Sequence, residues 1–419
     1  MHRRVTSLTS LVRTVLAVVL LGLVTAMAPG PAAAPAGTPT AGVVATASDI
    51  VDATAADPVV AAPADPVVAA PAPRPSPKPS PAPKASPAPK PAPKAAPAPA
   101  GGKRTAIVAL GDSSASGEGA GDYDAGTKGE KGDWCHRSSH AYIRHTGLAS
   151  TAFNLACSGA TSANVGFGTA VKNTEGSQAK RLAELAKNFK VTTVVTQFGA
   201  NDDPSFGSAI VRCVAVYLNP SLPGCASTLA SQWPSRLAAM KPKVQHALDD
   251  VRTAMRQAGY RDQDYTLVVA SYASPVTDTM VSTHGFIGCP FRSEDARWGR
   301  VTAVPQLSNA LRGVADQVGA RFLDLSRATE GHEACTNKGA EWQRRLTVDP
   351  KVFASGGISA ASHLAQESFH PNAVAHAQLA DCLASFVRVS AKHGLCLPGK
   401  DGKLHAQAGD ASPVRALAK

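Results

Sequence analysis

Five short apolar segments alternate with helical patterns between residues 105 and 389, and this alternation restricts the fold more than any other feature of the sequence. Strands separated by helices favour a parallel sheet that is covered by helices on both faces. The sequence therefore predicts an α/β domain. The expected strands are 105–110, 152–155, 191–198, 266–271 and 321–325, and the expected helices are 178–189, 244–258, 304–318 and 373–389.

The N-terminal hundred residues have a different composition. Three arginines precede an apolar run at 15–27, and this run is short for a membrane span. Residues 1–35 are therefore predicted to be a signal peptide, with a retained membrane anchor as the alternative. Residues 36–103 are rich in alanine, proline and lysine and include the repeat ADPVVAAP, so they are predicted to form a disordered linker. Such a linker is either a spacer that contacts anionic cell-wall polymer or a segment without a role.

The net charge of +11 does not point to a nucleic-acid partner. Residues 1–104 hold ten Lys and Arg against four Asp, so six of the eleven charges belong to the signal and linker. No basic helix with interleaved aromatic residues follows them. We expect one catalytic domain over 104–398, which acts as a monomer without binding nucleic acid, and a flexible tail over 399–419.

All eight cysteines lie after the linker, and several occupy the long loops expected at 114–150, 204–232 and 273–300. An even number behind a secretory signal indicates disulfides in an oxidising compartment. Because connectivity cannot be derived from sequence, pairing of neighbours in chain order is a working hypothesis. No Cys-x-x-Cys occurs, so we expect neither a metal site nor a cofactor. The hypothetical pairs are Cys135–Cys157, Cys213–Cys225, Cys289–Cys335 and Cys382–Cys396.

Four separated blocks carry residues suited to nucleophilic catalysis. Residues 111–113, 156–160 and 199–202 each follow a predicted strand, and residues 367–372 precede the last predicted helix. The carboxyl ends of parallel strands meet at one edge of a sheet, which is where ligands bind in open α/β folds. The first three blocks should therefore lie close together.

Each block supplies one part of an acyl-transfer mechanism. Ser113 is the candidate nucleophile and His370 its general base, since imidazole titrates near neutral pH. Glu367 is the candidate acid that orients the imidazole. The main-chain N–H of Gly159 and the side-chain amide of Asn201 can both donate hydrogen bonds to an oxyanion.

Other polar residues near these blocks are expected to have structural or solvent-exposed positions. Asp112 and Asp202 should bind loop N–H groups, and His376 should pack or face solvent. Arg137 either fixes its loop through a carboxylate or points to water. His136 is expected to be solvated, with a place at the entrance of the site as the alternative.

The four blocks resemble those of the SGNH (GDSL-type) hydrolases, and the segment from Cys135 to Ser139 is similar to one in the secreted actinobacterial esterase/lipase branch. The resemblance covers about 105–396. It implies a three-layer α/β/α sandwich with a flavodoxin-like, five-stranded parallel sheet, and it supports three of the four cysteine pairs, Cys382–Cys396 being additional. It also implies that the oxyanion hole consists of the Ser113 N–H, Gly159 and Asn201. Some relatives use a main-chain carbonyl where Glu367 is expected to act.

The function expected from this resemblance is cleavage of carboxylic esters, with a lipid or another small aliphatic ester as substrate. An O-deacetylase acting on cell-wall or plant polysaccharide is the alternative enzyme. A cell-surface binding protein on a hydrolase scaffold is an alternative of a different class, because fold does not determine function. The signal peptide predicts a secreted or cell-wall-associated protein.

Overall fold

The computed structural model describes residues 102–202, 206–280, 288–336, 340–347, 363 and 365–409. The predicted signal peptide and nearly all of the predicted linker lie outside these ranges, as do residues 410–419.

A single mixed sheet forms the centre of the described domain. Its strand order is β2-β1-β3-β4-β5-β6-β7; β1 to β6 pair in parallel, and β7 is antiparallel to β6. The strands are β1 (Thr105–Gly111), β2 (Thr151–Asn154), β3 (Lys190–Gln197), β4 (Thr266–Ala270), β5 (Arg321–Asp324), β6 (His393–Pro398) and β7 (Leu404–Ala408).

Helices cover both faces of this sheet, because alternate residues of each strand point to opposite sides. Val108 and Leu110 of β1 pack with α3, α6 and α8, whereas Ile107 packs with α9 and the turn at Tyr142–His145. The helices are α1 (Ser113–Ser116), α2 (Ser162–Val165), α3 (Gln178–Asn188), α4 (Phe206–Leu218), α5 (Cys225–Leu229), α6 (Trp233–Gln257), α7 (Ser293–Trp298), α8 (Val304–Gln317) and α9 (Ala373–Arg388).

The α/β/α class is confirmed, and the first five strands have the expected positions and the flavodoxin-like order. The expected count of five strands is wrong, since β6 and β7 extend the sheet. The expected flexible tail after residue 398 is also wrong, because β7 lies within it. Three of its five residues are exposed, as on an edge strand, and polar residues interrupt its apolar ones, so no apolar run marks it.

Two helical regions also differ from expectation. Helix α6 begins at Trp233 rather than at residue 244, and it continues through Pro242, which interrupts the helical pattern in the sequence. Helices α4 and α5 occupy most of the loop expected at 204–232. None of the helices in the described ranges has both the length and the apolarity that a bilayer span requires.

Four disulfides join the cysteines in chain order, as hypothesised: Cys135–Cys157, Cys213–Cys225, Cys289–Cys335 and Cys382–Cys396. The second and third lie in a separate apolar cluster, which includes Phe291 and Phe369. The fourth joins α9 to β6 and so attaches the added strands to the covering helix.

The packing of β7 yields a stability prediction. Leu404 is 4% exposed within the α9 core, so Leu404→Ala should lower the free energy of unfolding by roughly 2–5 kcal/mol. Val374 is 54% exposed, and Val374→Ala should change it by only about 0.5 kcal/mol. Equilibrium urea unfolding of both variants checks this. Equal stability of the two would show that β7 is not part of the cooperative unit.

Candidate active site

Ser113 lies immediately beyond the carboxyl end of β1, at the start of α1. Gly111 has a φ of 147°, and a Cβ added there would overlap the carbonyl group of Gln197. Only glycine permits this approach and turn. Asp112 then caps α1 by accepting a hydrogen bond from the Ser114 N–H (3.1 Å). The turn and the cap together fix the position of the Ser113 hydroxyl.

His370 reaches Ser113 from the loop before α9. Its Nε2 lies 2.8 Å from the Ser113 Oγ, and its Nδ1 lies 3.0 Å from the main-chain oxygen of Ser368. A carbonyl can only accept, so Nδ1 carries the proton and Nε2 is the acceptor for the Ser113 hydroxyl. This is the tautomer that a general base requires. Phe369, between the two, has a φ of 60°, which turns the Ser368 carbonyl back toward the ring.

Glu367 does not have its expected position beside His370. One of its carboxylate oxygens accepts a hydrogen bond from the Tyr123 hydroxyl (2.7 Å), and the other lies 3.6 Å from the Arg344 guanidinium. The expectation that Glu367 contacts the imidazole is therefore wrong. The physical reason is the turn at Phe369, which brings the Ser368 carbonyl to Nδ1.

Three hydrogen-bond donors are available for the expected oxyanion hole. The main-chain N–H groups of Ser113 and Gly159 have no acceptor among the described residues. Gly159 has a φ of 75°, which favours glycine. The Asn201 side chain donates one N–H to the carbonyl of Ala160 (3.1 Å), and an amide nitrogen has a second N–H to offer. The bond to Ala160 thus orients the amide within the site.

Asp112 and Asp202 hold the loops of the site together. Asp202 accepts hydrogen bonds from the main-chain N–H (3.0 Å) and hydroxyl (2.8 Å) of Ser162, which joins the loops after β2 and β3. Asp112 also accepts from the Tyr272 hydroxyl. Burial raises the pKa of Asp112 to about 7, although the bonds from Tyr272 and Ser114 oppose the shift.

Glu118 is a functional candidate that the sequence analysis missed. Its carboxylate is 0% exposed, lies 2.8 Å from Nδ1 of His136, and accepts from the Gln366 amide (2.7 Å). Burial alone would raise the pKa of Glu118, but the charge and hydrogen bond of His136 lower it to about 2. Glu118 therefore stays ionised near His370. The only signal in the sequence was a glutamate between two glycines, five residues after Ser113.

The histidines other than His370 have different environments. His136 is buried and stacked on Tyr123, so the expectation that it is solvated is wrong. His376 is fully buried, and its Nδ1 accepts the main-chain N–H of Tyr142 (3.3 Å). Burial lowers the pKa of His376 to about 3 and keeps it neutral. Its position is structural, as expected.

Burial is also the main influence on His370. It lowers the pKa of His370 below the ordinary histidine value, while the negative charge of Glu118 and the Ser368 carbonyl oppose the shift. A neutral imidazole that lies 2.8 Å from the Ser113 hydroxyl can remove its proton at neutral pH, and the three candidate donors can stabilise an oxyanion.

The chain is similar to several known proteins. Residues 109–378 match the model of the GDSL-like Lipase/Acylhydrolase family. The chain is 24% identical over 281 residues to Lipase 2 of Streptomyces coelicolor. This match covers 65% of this chain and 83% of Lipase 2. It also resembles the crystal structure of phospholipase A1 from Streptomyces albidoflavus NA297 (22% identity, TM-score 0.46, covering 65% of this chain and 94% of the other). A similar match is the extracellular lipase from Streptomyces rimosus (22% identity, TM-score 0.43, 64% and 93%).

One substitution distinguishes the two possible partners of His370, the Glu367 carboxylate and the Ser368 carbonyl. Because the Ser368 carbonyl faces Nδ1, Glu367→Gln should retain kcat for ester cleavage to within about tenfold. If Glu367 were the orienting acid, its loss would cost on the order of 10⁴ in kcat. Steady-state kinetics of the purified variant check this. Glu330→Gln, which alters a half-buried ion pair with Arg327 outside the four blocks, is the matched control.

Proposed function

The chain belongs to the GDSL-like lipase/acylhydrolase family and is a carboxylic ester hydrolase, and we propose that it is a secreted enzyme that cleaves lipid or aliphatic acyl esters through an acyl-enzyme on Ser113. The observation that carries the proposal is the 2.8 Å contact between Nε2 of His370 and Oγ of Ser113, with Nδ1 facing the Ser368 carbonyl.

In the first half of the reaction, Nε2 of His370 takes the hydroxyl proton as Oγ of Ser113 attacks the ester carbon. The carbonyl oxygen becomes an oxyanion, which accepts hydrogen bonds from the N–H groups of Ser113 and Gly159 and from the Asn201 amide. The imidazolium then protonates the departing alcohol. Throughout, the Ser368 carbonyl accepts from Nδ1 and stabilises the positive charge of the ring.

In the second half, water replaces the alcohol. His370 removes a proton from that water, which attacks the acyl carbon and forms a second oxyanion in the same hole. Collapse of this intermediate returns the proton to Oγ of Ser113 and releases the acid. Every proton transfer uses Nε2, and the Ser368 carbonyl at Nδ1 has the orienting role that an acidic side chain has in a Ser-His-Asp triad.

The preference for lipid or aliphatic esters is supported by the relatives, among them Lipase 2 of Streptomyces coelicolor. Secretion is supported by the basic and apolar N-terminus and by the four disulfides, since disulfides persist in oxidising compartments. Lysines along residues 36–103 would bring the enzyme near anionic cell-wall polymer. We further propose that the enzyme acts as a monomer.

The decisive experiment is hydrolysis of p-nitrophenyl esters from acetate to palmitate by the purified protein. Ser113→Ala should reduce kcat on the order of 10⁶-fold. Ser114→Ala removes the neighbouring hydroxyl and should retain activity. A maximum at medium or long acyl chains is expected. Release of acetate from acetylated polysaccharide, without cleavage of longer acyl esters, would instead identify a carbohydrate deacetylase, and persistence of activity in Ser113→Ala would exclude Ser113 as nucleophile.

The pH profile follows from the burial of His370. Only the neutral imidazole accepts the proton of Ser113, so kcat/KM should fall as the pH drops through the pKa of His370. Because burial lowers that pKa, the midpoint should lie below the ordinary value of about 6.5. Asp112→Asn removes the titration of Asp112, which lies near pH 7, and should leave this acidic limb in place. A midpoint above the ordinary value would contradict the assignment of the base.

A further inference from the structure

The ammonium group of Lys172 lies directly against Gly159. A Cβ added to Gly159 would be 2.6 Å from Nζ of Lys172 and 2.7 Å from its Cε. The cation thus occupies the space that a side chain at residue 159 would fill. It lies beside the candidate oxyanion hole, in a direction different from that of the Gly159 N–H.

The segment that carries Lys172 is fixed to the surrounding structure. Lys172 and Glu175 exchange main-chain hydrogen bonds of 2.8 and 2.9 Å. Between them, Asn173 donates to Sγ of Cys157 (3.3 Å), and Thr174 donates to the Asp133 carboxylate (2.8 Å). The backbone of this hairpin is therefore anchored to the loop that the disulfide closes, which fixes the position from which the Lys172 side chain extends toward Gly159.

The positive charge of Lys172 has no counter-charge within the described part of the chain. Among the described residues, none forms a hydrogen bond or ion pair with its Nζ, and the nearby Glu175 carboxylate is bound by Arg137 and Arg181. Burial lowers the pKa of Lys172, as desolvation of an unpaired cation should. An unpaired, partly buried charge is unfavourable for folding, which makes such a group a candidate for ligand binding.

We propose that Lys172 forms an anion subsite, which binds a carboxylate or phosphate group carried by the ester substrate close to the scissile bond. The proposal rests on the proposed function, since it requires an ester carbonyl beside Gly159. An ammonium group would gain a charge-assisted hydrogen bond and lose its unpaired state when such a substrate binds. Neutral esters of the same length would lack this interaction and would be poorer substrates.

Two p-nitrophenyl esters of equal chain length test the subsite: the neutral valerate and the mono-ester of glutarate, which ends in a carboxylate. Lys172→Met should reduce kcat/KM for the glutarate by about tenfold to a hundredfold, the loss of one hydrogen bond between charged groups. The valerate should change by no more than about twofold, which also shows that the variant is folded. Lys172→Arg should restore much of the glutarate activity.

The matched control is Lys180→Met, which removes one exposed positive charge from α3 and should leave the ratio of the two rates unchanged.

A second arm of the experiment compares the hydrolysis of phosphatidylglycerol with that of an uncharged diacylglycerol of the same acyl chains in mixed micelles. Dependence on Lys172 in this arm alone would identify a phosphodiester as the bound anion, and dependence in the glutarate arm alone would identify a carboxylate; either supports the subsite.

Three results would overturn the proposal. An equal loss for the valerate and the glutarate would mean that Lys172 stabilises the oxyanion of every ester. A Lys172→Met variant that changes neither the glutarate-to-valerate ratio nor the phosphatidylglycerol-to-diacylglycerol ratio, with Ser113-dependent activity intact, would remove the subsite but leave the proposed function. Absence of hydrolysis of both esters by the unaltered protein would remove the proposed function and the subsite together.

Discussion

At residue 111 the main chains of β1 and β3 approach so closely that no side chain fits, and the whole site depends on this approach. Gly111 donates its N–H to the Gln178 side chain (2.7 Å), and its carbonyl accepts from the Gln178 amide (2.8 Å) and the Cys157 N–H (3.1 Å). The Asp112 N–H donates to the Gln197 carbonyl (3.0 Å). Residues 111 and 112 thus tie β1 to β3, α3 and the loop after β2, which brings the loops after β1, β2 and β3 together at Ser113.

Behind His370, a buried polar cluster holds the last loop against the first. The Glu118 carboxylate is paired with His136 and bound by Gln366, while the Tyr123 hydroxyl donates to Glu367. A buried charge is tolerated only when its partners are present. The cluster therefore links residues far apart in sequence, and the place of Glu367 in it explains why that carboxylate is not at the imidazole.

The sequence was sufficient to predict the first five strands, the α/β/α class and the meeting of Ser113 with His370, because strand ends and reactive side chains leave a signal in the chain. It did not predict β7, whose exposed edge position requires no apolar run. It did not predict the pairing of Glu118 with His136, since nothing in the sequence indicates that two polar residues in loops are buried. The main-chain carbonyl was only the alternative to Glu367 as partner of His370, because a carbonyl has no residue type of its own that a sequence could show.

The use of a main-chain carbonyl as the partner of His370 has a genetic consequence. In a Ser-His-Asp arrangement the gene encodes the partner of the imidazole, and a single codon change can delete it. Here the acceptor is the oxygen of a peptide bond at Ser368, which every amino acid supplies. No amino-acid substitution at that codon can remove the acceptor. Only a change in the path of the chain, such as loss of the left-handed turn at Phe369, can move it. Selection on this part of the site therefore acts on backbone conformation rather than on side-chain identity.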